Sequence, residues 1–465
     1  MSVVVPNQNA VGKPQEMRRI LAVEPRWSLA FLGILGYLVI EYTRLPAMYR
    51  ILIPLQLGKV VTLVALLGFV VSPHARSANW RTLRRVDVGL AVFVLSCLLS
   101  CFLAPYQDFA WQGFRDVVLY ALVCFLIGRA VNSRWRVAVF LGLYFLLNLK
   151  FAQFVIRSRA TLSAQGESSL HLSTYGVGAG STGFFANSAD FGVAMCVAWP
   201  IAGYLLLAES KSKLRRFALL IFTVSYLVAL LVCGSRGAVV GAAAIAAAAL
   251  LKNPRRITAA VMFLLFLLGL FVILPAGTKQ RLESAEDWQQ DKTASHRVYL
   301  WKAGLLIFRD NPVLGVGVDN YPLVRLNSYA IPGSGDVASV AHSTYIQVLA
   351  ELGTMGTLSW LFLIFCFLRL NAQTRQQLLA TDLARRRSWE YGLAFGLDLA
   401  LIGYLASGAF VSVLFYPHFW VLLGLSVGLN TACAPPKAEF NGAPSTSRIP
   451  LNTFPMTVSQ ESGRC

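Results

Sequence analysis

The sequence predicts an all-α integral membrane protein of about 12 transmembrane helices, with one large helical outer loop between the ninth and tenth. Three observations carry this. Of 465 residues, 56% are hydrophobic and 14% charged, and the mean hydropathy is +0.59, values that no water-facing surface sustains. Apolar runs recur at lengths near the ~20 residues that a helix needs to cross about 30 Å of hydrocarbon. Basic residues also alternate between rich and poor from one connection to the next. Subtracting 22 acidic from 41 basic side chains leaves +19, a balance that elsewhere suggests nucleic acid. Here the aromatics interleave with apolar residues and not with a basic groove, so no nucleic-acid partner is expected.

Taken in order, the predicted spans are 27–43, 51–72, 86–104, 117–131, 137–156, 187–208, 217–233, 237–251, 257–276, 354–370, 391–413 and 417–432. The seventh and eighth are one nearly unbroken apolar run. As a single helix that run would extend roughly 52 Å, far beyond a bilayer. A turn must interrupt it, and Gly234-Ser235-Arg236-Gly237 is the segment able to make one.

Starting with the N-terminus in the cytoplasm, the inner segments hold Arg76, Arg81, Arg84 and Arg85; Arg134 and Arg136; Lys211, Lys213, Arg215 and Arg216; Lys252, Arg255 and Arg256; and Arg385 to Arg387. With both termini they carry about twenty-five basic residues, against about thirteen outside. Much of the net charge is thereby assigned to topology and to contact with anionic lipid. Residues 1–26 are polar, too long for a signal-peptide n-region and not followed by a small-residue cleavage site, so this cytoplasmic segment is expected to stay. Residues 27–276 hold spans 1–9, 277–353 the large outer loop and 354–432 spans 10–12. The Pro-, Ser-, Thr- and Asn-rich tail, 433–465, is expected to be a disordered cytoplasmic segment. Cys97, Cys101, Cys124, Cys196, Cys233 and Cys366 fall within or at the ends of spans, and Cys433 and Cys465 in the tail. They read as small packing residues and not as disulfide partners.

Polar chemistry collects in two outer connections, 157–186 and 277–353, the second too long to be a mere link. Within it, Ser295-His296-Arg297 opens a stretch with Tyr299, Trp301, Leu305, Leu306 and Phe308 at helical spacing, ended by Asn311-Pro312. This predicts an amphipathic helix at the outer interface. Turn residues follow at Gly315-Val316-Gly317 and Asp319-Asn320-Tyr321-Pro322. Next comes a short helix from His342 to Gly353, capped by Ser343 or Thr344 and ended by Gly353.

Arg236, Arg297 and His342 therefore form a candidate constellation on one side of the membrane. Each also has an ordinary reading: a snorkelling anchor for Arg236, a headgroup contact for Arg297, a cap or packing residue for His342. His74, His171, His296 and His418 have no better context, His296 standing out only as the neighbour of Arg297. Together, two arginines offer planar donor forks that match a pyrophosphate bidentately. A histidine titrating near neutrality can take the proton of an attacking hydroxyl. Glu167, Asp310, Asp319, Asp336 and the group Glu283, Glu286, Asp287 and Asp291 are read as solvated outer acids; the group has no His or Cys at ligand spacing, so no metal is expected. Asp108 and Asp116 stand isolated in the second outer loop. No nucleotide fingerprint, Walker loop, G-x-S-x-G elbow or HExxH is present.

The segments Cys233-Gly234-Ser235-Arg236-Gly237, Arg297-Val298-Tyr299-Leu300-Trp301 leading to Asn311-Pro312-Val313-Leu314-Gly315-Val316-Gly317, and His342-Ser343-Thr344-Tyr345 running to Leu352-Gly353 resemble, in content and order, the O-antigen ligase and O-antigen polymerase superfamily. Thr182-Gly183-Phe184-Phe185-Ala186-Asn187 is similar to that family's G-x-F-x-N stretch, although Ser181 and Thr182 stand where the family often has an arginine. The resemblance covers roughly residues 180–370 by motif. It implies an inverting, metal-independent glycosyltransferase of the all-helical GT-C type, without cofactor, in the bacterial inner membrane and acting on the periplasmic face.

Its implied donor is a glycan on undecaprenyl pyrophosphate and its implied acceptor lipid A core. Arg236 and Arg297 would bind the pyrophosphate, and His342 would activate the acceptor hydroxyl. Trp301, Tyr345 and Asn187 would be further substrate contacts. One large outer loop favours a ligase over the superfamily's repeat-unit polymerases; a protein O-glycosyltransferase of the same superfamily is a further alternative. A reading from another class, a lipid-linked glycan transporter, would instead use Lys59, Arg129, Lys150 and Asp398 as intramembrane ionisable groups.

Overall fold

A computed structural model of the chain describes residues 26–43, 45–71, 80–164, 188–209, 212–252, 292–330 and 337–434. Its helices are α1 (Leu29–Thr43), α2 (Leu57–Val71), α3 (Trp80–Phe102), α4 (Gln107–Ala130), α5 (Arg134–Ala164), α6 (Ser188–Ala208), α7 (Lys213–Val232), α8 (Arg236–Lys252), α9 (Lys292–Asp310), α10 (Tyr321–Ser328), α11 (Thr344–Thr381), α12 (Trp389–Gly408) and α13 (Pro417–Cys433), and no strand occurs among the described residues. Seven stretches are long and apolar enough to cross a membrane: Arg84–Phe102 in α3, α4, Arg134–Thr161 in α5, α6, α7, α11 and α12. The chain is a multi-pass membrane protein.

The side-chain pattern gives the same answer independently. On α11, Leu358, Leu361, Phe362 and Phe365 are exposed, while Ser359, Asn371 and Thr374 are buried. In water that inside-out arrangement would leave a large apolar patch uncovered; in lipid the apolar face is solvated and the polar groups pair with other helices. Small residues allow the close approaches that membrane helices need. A Cβ added to Gly33 of α1 would lie 2.6 Å from the backbone of Ala65 in α2, and one on Gly396 of α12 would lie 3.0 Å from Ile201 in α6. The helices α6, α8 and α12 pack against one another, α4 against α13, and α3 against α11.

Several boundaries differ from the sequence expectation. The expected span 51–72 is helical only from Leu57, because Pro54 lacks an amide donor and the chain around it forms turns. At 15 residues each, α1 and α2 cover about 22 Å. Helix α4 begins ten residues before the expected 117, so Asp108 and Asp116 belong to a helix and not to a loop; Asp108 sits in the first turn, where it complements the helix dipole. Expected spans 7 and 8 are separated at Gly234, whose φ is +76°, and Ser235 caps α8 by accepting the Ala238 amide at 3.3 Å. The expected span 257–276, the acids at 283–291 and Asn187 lie outside the described residues.

Four ionisable groups were expected inside spans. Arg129 pairs with Asp87 at 2.5 Å. Asp398 pairs with Arg375 at 2.7 Å and accepts from Asn371 at 2.9 Å. Lys59 and Lys150 are exposed. Arg129 and Asp398 are therefore members of structural ion pairs between helices. The seven described cysteines are buried free thiols.

Candidate functional site

The 277–353 region is described from α9 onward. Helix α9 buries Leu300, Ala303 and Ile307, spaced as one helical stripe. This is not the face that the sequence placed at the outer interface, Tyr299, Trp301, Leu305, Leu306 and Phe308; it packs on protein, and Gly304 lies against Ile346 of α11 so closely that a Cβ would come within 2.2 Å of the isoleucine. Tyr321 at the start of α10 joins this small core, and its hydroxyl donates to the Leu300 carbonyl at 2.6 Å.

The turn between α9 and α10 is fixed from both flanks. Asn320 clamps the α3–α4 turn, accepting from the Tyr106 amide at 2.9 Å and donating to the Tyr106 carbonyl at 3.1 Å. On the other flank the amides of Val316 and Gly317 donate to the carbonyls of Ala350 and Glu351 at 3.0 and 2.9 Å. The Glu351 carboxylate accepts the Tyr321 amide at 3.3 Å, capping α10. Gly353, with φ +61° and ψ −159°, interrupts α11 where these contacts meet, dividing it into the short segment expected from His342 and a membrane-crossing remainder that runs to Thr381 and not 370.

Ser343 caps α11, its hydroxyl accepting the Ile346 amide at 3.5 Å, and His342 precedes it in the left-handed region at φ +47°. A non-glycine residue held there costs of order 1 kcal/mol or more and persists only when its surroundings enforce it. The enforcing contacts are visible on both sides. Ala341 is buried. Thr344 donates its hydroxyl to the Val411 carbonyl at 2.8 Å and accepts the Val413 amide at 3.2 Å.

That exchange also explains why α12 stops at Gly408 and not at the expected 413: backbone groups that would continue the helix are satisfied by Thr344. The freed loop, 408–413, is where the candidate elements converge. A Cβ on Gly237, next to Arg236 in the first turn of α8, would lie 3.2 Å from Phe410. The Trp301 ring, one helical turn after Arg297, lies 6.4 Å from that of Phe410. Arg236, Trp301 and the His342 segment thus approach one short loop.

Electrostatics tie Arg297 to His342 directly. His342 is half-buried, and its pKa is lowered to about 4 by that burial, by the Arg297 cation and by His296. His296 is itself held below its ordinary value by partial burial and by the Arg325 and Arg297 cations. The His342 imidazole is accordingly neutral near pH 7 and able to accept a proton. The Trp301 indole N–H is buried and, among the described residues, has no hydrogen-bond partner. Tyr345 is placed differently: its hydroxyl donates to the Leu405 carbonyl at 2.8 Å and its ring meets Trp360, tying α11 to α12. Among the described residues no cluster of His, Cys, Asp or Glu could hold a metal ion.

Two participants escaped the sequence reading. His296 was seen only as a neighbour of Arg297 in sequence; nothing in its spacing announces that the fold brings it to His342. Arg325 was not singled out in the sequence, yet it is fully buried and donates to the Val337 carbonyl. It thereby anchors the segment leading to His342. Arg325→Ala is expected to lower stability by about 1–3 kcal/mol, the usual range for losing a hydrogen bond made by a charged group. Faster amide exchange across 337–343 is the measurement that localises the effect.

None of the curated proteins matches the chain. A family model described as O-antigen ligase matches residues 218–361, from α7 through the first part of α11, a stretch that contains Arg236, Arg297, Trp301 and His342. This match, carried on the same segments that meet around the 408–413 loop, supports membership of the O-antigen ligase and polymerase superfamily.

Proposed function

We infer that the protein is an O-antigen ligase: an inverting glycosyltransferase that moves a glycan from undecaprenyl pyrophosphate to a hydroxyl of lipid A core, on the periplasmic face of the bacterial inner membrane, with both termini cytoplasmic. The observation that supports this most is the convergence of the Arg236 turn, the Arg297–Trp301 turn and the His342 segment on residues 408–413. In this reading the arginine forks hold the pyrophosphate and balance charge as it develops on the leaving group. The buried Trp301 N–H supplies a further donor toward a phosphate or sugar oxygen.

His342 takes the proton of the acceptor hydroxyl as its oxygen attacks the anomeric carbon from the face opposite the departing phosphate. One carbon–oxygen bond forms and one breaks, configuration inverts, and undecaprenyl pyrophosphate leaves. The arginines can stabilise that departure without a metal. Tyr345, whose hydroxyl is already engaged by the Leu405 carbonyl, supports the helix that presents His342.

The test is transfer by the purified protein in liposomes, with EDTA present. A lipid-pyrophosphate-linked glycan is the donor, and lipid A core and a second lipid-linked repeat are offered separately as acceptors. A single glycan added to lipid A core is the expected product. Ladders of lengthening lipid-linked glycan would make the protein a polymerase, and no product with either acceptor would end the ligase reading.

A further inference from the structure

Far from the candidate site, α3 and α11 form an open cleft of about 160 Å³ lined by Arg85, Val86, Phe365, Cys366, Arg369 and Gln373, among others. Arg369 lies 16 residues beyond the Gly353 break, about 24 Å along the helix at 1.5 Å per residue. The cleft therefore opens near the membrane face opposite His342. Both arginines are exposed, and among the described residues no carboxylate forms an ion pair with either. Two cations facing one cleft repel each other unless an anion lies between them.

Toward the middle of the helices the lining becomes apolar. Val88 and Val92 on α3 and Phe362 and Phe365 on α11 are exposed, and Gly89 lets the two helices approach, its missing Cβ position lying 2.8 Å from Leu363. A polar end with two guanidinium forks and a hydrocarbon-facing groove below it has the chemistry of a phospholipid: a phosphate for the forks, acyl chains for the valines and phenylalanines. We propose that the cleft between α3 and α11 binds an anionic phospholipid in the leaflet opposite the candidate site, with its phosphate between Arg85 and Arg369.

The inference does not depend on the proposed reaction. It is tested by native mass spectrometry of the full-length protein released from mixed vesicles of phosphatidylglycerol and phosphatidylcholine. Retained phosphatidylglycerol should exceed phosphatidylcholine at least about fivefold. Each of Arg85→Ala and Arg369→Ala should lower retention about fivefold, the effect of one basic residue near an anionic surface. The Lys variants, keeping the charge and losing only the fork, should fall about twofold. Equal retention of the two lipids, or unchanged retention in the double Ala variant, would overturn the proposal. Displacement of the lipid by millimolar inorganic phosphate would also overturn it, assigning the cleft to a free oxyanion.

Discussion

His342→Ala should lower the turnover number about a hundred- to ten-thousand-fold, the range for removing a positioned general base, while donor affinity changes little. Arg297→Ala should fail differently. It removes a fork from the pyrophosphate, so donor binding and turnover fall together, and Arg297→Lys should rescue poorly because an ammonium supplies a point charge without paired donors. The split is read by measuring donor binding and single-turnover transfer separately. Retained donor affinity in both Arg236→Ala and Arg297→Ala would sink the pyrophosphate assignment.

The same residues set a pH signature. In the donor-free protein His342 sits near 4 because burial and the Arg297 cation disfavour its protonated form, with His296 adding to them. A base works only when unprotonated, so at limiting donor the acid limb of activity should fall as pH drops through about 4. Once a pyrophosphate balances the arginine charge, the repulsion on the imidazolium is removed and its pKa rises toward the ordinary 6.5 or so. At saturating donor the acid limb should therefore lie at higher pH. Coincident limbs at both donor concentrations would show that the arginine charge reaching His342 is not met by the donor.

The α-helical membrane class was legible because bilayer thickness writes itself into run length: nearly every expected span among the described residues corresponds to a helix. The break at Gly234 was legible for the same reason, since an uninterrupted helix would have been too long. Helix ends were not. The run 391–413 is apolar to its end, and Thr344, sixty-seven residues before Val411, supplies a hydrogen bond that draws the last part out of the helix. The motif residues Arg236, Arg297 and His342 could be named from residue type and resemblance, but not the loop at 408–413 that gathers their segments, because no local pattern records a partner so distant in sequence. Buried Arg325 and the His296–His342 coupling belong to the same class of information: they depend on packing between α9, α10 and the chain before α11.

Gly353→Ala and Gly315→Ala should be the most damaging substitutions for the fold of this region. Gly353 has φ +61° and ψ −159°, a combination essentially confined to glycine, and a Cβ there would lie 2.5 Å from the Val313 carbonyl carbon and oxygen. Gly315, at φ +68°, faces the reverse problem: its Cβ would meet the Glu351 carbonyl carbon at 2.4 Å and its oxygen at 2.5 Å. The two glycines let the α9–α10 turn and the α11 break lie backbone against backbone, and in both cases the obstacle is main chain that cannot rotate aside.

Backbone strain of about 1–3 kcal/mol and a similar overpacking cost give roughly 2–6 kcal/mol for either change. A rise in φ strain alone would leave the contacts in place; an added Cβ must also separate Val316 and Gly317 from the Ala350 and Glu351 carbonyls that they bond. The expected result is a lowered thermal midpoint in detergent and loss of transfer together, since the same contacts fix the short helix behind His342. Gly142→Ala on α5 is the control. Nothing lies within 4 Å of its would-be Cβ, and alanine favours a helix over glycine by about 0.5–1 kcal/mol, so that variant should melt at or above the parent. Equal behaviour of Gly142→Ala and Gly353→Ala would mean that the α11 break does not hold the outer loop in place.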